Sequence, residues 1–138
     1  MKSILITIGR TLLALYFLLP GIMKFVAWDM NIALMELHNM PFVTLLLPIA
    51  GIIQVTAGLC LLLNKYVMIS ALALAGMTLV INLNLHDFWN TYQGVDNGRE
   101  LQNFVKNLGI FAGLLVLAGL NMPDTTPSSE NQKASERN

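Results

Sequence analysis

Nine polar side chains lie in or beside long apolar runs: Arg10, Lys24, Gln54, Asn82, His86, Arg99, Asn103, Lys106 and Asn107. Their types suggest a binding chemistry. Lys24, Arg99 and Lys106 are cations able to hold an anion, and such charges act strongly in a dry cavity. His86, in the segment "NLNLHDFWN", is the candidate catalytic group, a proton carrier whose ordinary pKa lies near neutrality. Asn82, Asn103 and Asn107 have the amides needed to orient ring or acid oxygens. Arg10 and Gln54 are expected to be structural. Arg10 either snorkels to a membrane surface or faces neighbouring helices, and Gln54, flanked by Gly51 and Gly58 at helical spacing, is placed to bond across a helix seam.

Other chemistries find little footing. The single cysteine, Cys60, is one thiol short of a dithiol relay and reads as a small apolar filler. No dinucleotide glycine fingerprint, phosphate loop or CxxC occurs. Haem would need opposed imidazoles, and His38 is expected in a loop, so neither haem nor a bound metal is expected. Formal net charge is zero, which implies no nucleic-acid partner.

The elements that must carry these groups are set by the apolar distribution. Hydrophobic residues make up 55% of the chain and charged residues 12%, about half the charge of an ordinary soluble domain. The apolar residues fall into blocks at 4–26, 42–63, 66–89 and 101–121. Each can cross a hydrocarbon core of ~30 Å as a helix, and stretches such as 42–53 and 66–81 leave almost no wet face. The expected fold is all-α, an integral membrane bundle of four transmembrane helices over residues 1–121. The first block is too long for a cleaved signal and lacks a small-residue cleavage site, so it is expected to remain in the membrane. Residues 122–138, rich in Pro, Ser and charge, are expected to form a disordered cytoplasmic tail. Lys2, Lys65, Lys133 and Arg137 fall on one side of such a bundle, which places both termini in the cytoplasm by the positive-inside rule.

Helical phase then sorts the polar residues. Arg10, Phe17, Gly21 and Lys24 share a face of the first span, and Asn82 and His86 share one on the third. Asn84 points nearly opposite, and Asp87 turns ~100° from His86, so the adjacent His and Asp form no pair on a helix. Asp87 and Trp89 are expected to fix the helix end at the interface. On the fourth span Arg99, Glu100, Asn103, Lys106 and Asn107 form a stripe ~120° wide that continues as Ile110, Leu114 and Leu117. These stripes converge on an outward funnel closed below by aliphatic residues. The alternative is a ring of interfacial anchors, with Trp28, Trp89 and Tyr92 as an aromatic belt.

The segments "GRTLLALYFLLPGIMKF", "GIIQVTAGLCLLLNKY", "LHDFWN" and "LQNFVKNLGIFAGLLVLAG" resemble the DoxX family over roughly residues 5–120. The resemblance implies a four-helix protein of the bacterial inner membrane. It also implies kinship with subunits of thiosulfate:quinone oxidoreductase and with membrane redox complexes that handle oxidative stress. Arg10, Gly21, Lys24, Gln54, His86, Lys106 and Asn107 match the family pattern by position. Quinone, held without a covalent link, is then the expected cofactor or substrate, with the lipid bilayer and a soluble or membrane redox protein as partners. Two further readings stay open: a non-enzymatic anchor or assembly partner, and a protein that handles a small solute or lipid without electron transfer.

Overall fold

The computed structural model describes residues 1–123. Its elements are α1 (Lys2–Val26), α2 (Trp28–Leu37), α3 (Val43–Leu62), α4 (Val67–Leu85) and α5 (Asn97–Leu120), with no strand among the described residues. The segment expected to form a tail lies, from residue 124 onward, outside the described residues. Helices α1, α3, α4 and α5 have 25, 20, 19 and 24 residues and are apolar enough to span a membrane. Their outer surfaces carry large exposed apolar side chains, among them Leu12, Leu19, Ile52, Ile69 and Val116, as a lipid-facing bundle requires. Over its described residues the chain is an all-helical membrane protein with four spans.

The bundle is built from two helix pairs. Helix α1 lies along α3 and α4 lies along α5, while α3 and α4 join the pairs and α1 touches α5 only lightly. The first pair is close because glycines line it. A Cβ on Gly21 would stand 2.8 Å from Gln54 Cβ, and one on Gly58 would stand 2.9 Å from Leu18 Cγ. Small residues are what let membrane helices approach so nearly. The turn between α3 and α4 is short because Asn64 and Tyr66 take left-handed backbone angles, and Lys65 N–H closes on the Cys60 carbonyl at 2.9 Å.

Arg10 adds a polar bond to the first pair. It is buried and donates to the carbonyls of Leu61 and Leu62, the latter at 3.3 Å. The last four carbonyls of a helix have no partner within it and form the negative end of its dipole. A guanidinium there satisfies them, so Arg10 faces the bundle and does not snorkel.

Arg10 aside, the interior at the end bearing Met1 and the α3–α4 turn is mostly apolar. Ala14, Phe17, Ala57, Leu61, Leu74, Leu114 and Leu117 pack there as one core. The other end, called the loop end below, holds the polar groups and differs from expectation in three ways. The segment after α1 is a helix, α2, and not a loop. Its Met35 is buried with Val43 and Leu47 of α3, and Trp28 and Ile32 pack beside them. At 10 residues it spans only ~15 Å, too short to cross a membrane. Helix α4 stops at Leu85, short of Trp89. Helix α5 starts at Asn97, before its first apolar residue, because the Asp96 carboxylate accepts from Gly98 N–H at 2.8 Å and Arg99 N–H at 3.4 Å.

Candidate functional site

The four spans enclose a cavity of about 150 Å³ in the loop half of the bundle, lined by Tyr16, Phe17, Pro20, Lys24, Gln54, Thr78, Ile81, His86 and Asn107. Every span contributes. From α1, Lys24 comes one turn after Pro20 and is half-buried. From α3, Gln54 is 4% exposed, and its Oε1 has no hydrogen-bond partner. The expected bond across the seam is therefore not made by that oxygen. The close approach of Gly21 fixes the Gln54 stem from behind.

Helices α4 and α5 supply an amide ladder. Asn82, 1% exposed, donates through Nδ2 to the Phe104 carbonyl at 3.1 Å and accepts at Oδ1 from Asn107 Nδ2, also at 3.1 Å. Asn107 Oδ1 in turn accepts from the Tyr16 hydroxyl at 3.3 Å, the polar link between α1 and α5. Asn82 thus supports the cavity from behind, while Asn107 lines it. Asn84 points away and bonds its own Val80 carbonyl.

His86 caps the end of α4 and lines the cavity, with its Nδ1 2.6 Å from Glu100 Oε2. A carboxylate beside Nδ1 favours the tautomer that carries its proton on that nitrogen. Sequence reasoning placed Glu100 in the stripe but gave it no role. Its partner lies 14 residues away, across a loop whose course the periodicity does not reveal.

The cations divide. Of Lys24, Arg99 and Lys106, only Lys24 reaches the cavity. Arg99 and Lys106 are exposed on α5, and Asn103 is half-buried outside the cavity lining. The expectation that Lys106 faces the bundle is corrected. Asn107 is the inward residue, and one position along a helix is a rotation of ~100°, which carries Lys106 outward. A stripe 120° wide was too broad a reading.

A second polar cluster was missed. His38, expected in a loop, is buried at the end of α2, with Nδ1 3.0 Å from Asp87 Oδ1. Asp87 Oδ2 accepts from Asn90 Nδ2 and from the Tyr92 hydroxyl, each at 2.6 Å, and the Tyr92 ring lies against His38 at 4.5 Å between centroids. Asp87 is therefore a buried acceptor that ties α2 to the α4–α5 loop, and not simply an interfacial helix end. Burial alone would raise its carboxyl, but the bonds donated by Tyr92, Asn90 and His38 outweigh that and hold it below its usual value. The same bond to Asp87 chiefly pushes the Tyr92 hydroxyl up. His86 and Asp87 do diverge to separate partners. Trp89 is exposed beside Phe88 and Phe104.

The DoxX family model matches residues 5–87. The chain belongs to the DoxX family. The match covers α1 through α4 and ends at Asp87, so it contains the cavity residues Lys24, Gln54 and His86, while Asn107 and Glu100 on α5 lie beyond it. No curated protein and no solved structure matches the chain. Among the described residues of this DoxX protein, no three His, Cys, Asp or Glu side chains gather as a metal site. Cys60 is free and half-buried.

Proposed function

We propose that the cavity binds the polar head of a quinone or a small anion and that the protein serves as a subunit of a membrane redox system. The observation that carries this reading is Gln54 Oε1, a buried carbonyl oxygen without a donor, in a cavity that Lys24 and His86 also line. An unsatisfied buried acceptor costs about 1–3 kcal/mol, a cost that a bound donor removes. A quinol head supplies both complements: a hydroxyl that donates to Gln54 and an oxygen that accepts from Lys24. His86, with Nδ1 engaged by Glu100, takes or returns the proton at Nε2. The Asn82–Asn107 ladder holds the wall opposite α3.

Mass spectrometry of what leaves the membrane with the protein tests this. From membranes kept under reductant, the quinol is expected with the wild type and is expected to fall about tenfold in Gln54→Leu, which removes the acceptor for its hydroxyl, and in Lys24→Met. A wild-type protein that carries neither quinone nor anion overturns the reading. His86→Phe is expected to flatten the pH dependence of a redox titration of the bound quinone, and an unchanged dependence removes His86 from the mechanism.

We also place the protein in a bacterial inner membrane with both termini cytoplasmic, on the strength of Lys2 and Lys65 at the same end of the bundle. Reporter fusions at residue 138 and in the 93–96 loop are expected to be active on the cytoplasmic and external sides respectively. The reverse pattern overturns the orientation.

A further inference from the structure

A second cavity adjoins the first. It is a groove of about 490 Å³ between α3 and α4, open along one side and closed at the loop end by Met35 and Met40 from α2 and the turn after it. Ala50, Ala73 and Gly76 make it deep, because their small side chains leave room between the helices. Its lining is apolar apart from Lys24. Lys24 and Ile81 line both this groove and the polar cavity, so the two share a wall at these residues. Among the described residues Lys24 makes no ion pair, since the close pairs there are His38–Asp87 and His86–Glu100.

We infer that the groove seats the apolar chain of the same molecule whose head occupies the polar cavity, so that the ligand is a single-chain amphiphile. This rests on the head-group reading above and narrows it: a water-soluble anion has no use for the groove. The head compartment, at about 150 Å³, is the smaller of the two and suits one ring or one acid group. The groove is the larger of the two and suits a linear chain. The methionines at its closed end adapt to chains of differing shape. A chain gains little by hydrophobicity on leaving lipid for such a groove, because lipid tails are equally apolar. Its gain comes from dispersion contacts with fixed walls, together with the head bonds that hold it in register.

Gly76 provides the test. It lines the groove and not the polar cavity, and a Cβ there meets nothing within 4 Å, so a side chain added there starts in open space beside the groove. The full chain in lipid nanodiscs is titrated, under a reductant that holds each ring as its quinol, with an unsubstituted benzoquinone and with the same ring bearing a ten-carbon chain, concentrations being matched per lipid. In the wild type the chained quinone is expected to bind about tenfold more tightly. Gly76→Leu is expected to erase that difference while leaving the unsubstituted ring as tightly bound as before. Ala73→Leu, filling the same groove from one turn away, guards against a folding defect particular to residue 76. Equal affinity for the two quinones in the wild type, or a chain advantage that survives in both folded variants, overturns the inference and leaves the head site standing. If neither quinone binds the wild type, the head site falls, and this inference with it.

Discussion

Alanine at Gly21 is expected to lower the stability of the bundle by about 1–3 kcal/mol, and leucine there to prevent α1 from docking on α3. The new Cβ would sit 2.8 Å from Gln54 Cβ and 3.2 Å from the backbone nitrogen of Val55. Neither atom is the free end of a side chain, so relief requires the helices to part. Gly58 is the next most sensitive, since Leu18 Cγ lies 2.9 Å away and the Ala14 carbonyl is behind it. Gly51 is milder, because its obstacle is the ring edge of Phe25, which is 45% exposed and can swing aside. Gly109, with nothing within 4 Å, serves as the neutral control. Thermal unfolding in detergent of the four alanine variants should rank them in that order. A Gly21→Ala protein as stable as Gly109→Ala would show that the first helix pair is looser than described.

The second large effect concerns the cluster that holds α2. Asp87→Asn keeps one oxygen but loses the charge that three donors share. It should destabilise the loop end by about 1.5–3 kcal/mol, as expected for hydrogen bonds to an ionised group. Proteolysis or hydrogen exchange confined to α2 and the 86–96 loop would report it. The pH dependence follows from the two shifted groups. The Asp87 carboxyl is held below its usual value, so its contribution is present above the unfolded pKa of ~3.9 and is lost as pH falls through the lower folded value. The Tyr92 hydroxyl is pushed above its usual value, so its contribution is present below ~10 and is lost as pH rises through the higher folded value. Protection of α2 is therefore expected to be level between about pH 4 and 10 and to fall at both ends. In Asp87→Asn the acid limb should disappear. An acid limb of undiminished size in that variant would assign it to another carboxylate.

The four spans were legible in the sequence because lipid leaves a helix little choice of side chain: a run of about 20 apolar residues has one use. Helix α2 was not, since its ten residues mix Asp29, Asn31 and Glu36 with an apolar face too short to register as a period. The polar half of the bundle was legible in outline. Lys24, His86 and Asn107 do line one cavity, with Asn82 bonded behind Asn107, whereas Gln54, expected only to bond across a helix seam, lines that cavity too. Two things escaped. One was partnership across loops: His38 meets Asp87 at a separation of 49 residues, and nothing local announces it. The other was rotation at the edge of a stripe, which put Lys106 outside while its neighbour Asn107 went in. Arg10 was ambiguous for a different reason. Its partners are backbone carbonyls, and a backbone acceptor carries no residue-type signal.

The two-pair construction also imposes an order on biosynthesis. Helices α1 and α3 leave the ribosome first, and their glycine contacts and the Arg10 bond need nothing from later residues. Helices α4 and α5 then close on each other through Asn82 and Asn107. Lys24 and Gln54 belong to the early pair, and His86 and Asn107 to the late one. The polar cavity is therefore a product of the final docking event. A chain arrested after α3 would be inserted in the membrane and packed, yet still lack half of the walls of its polar cavity.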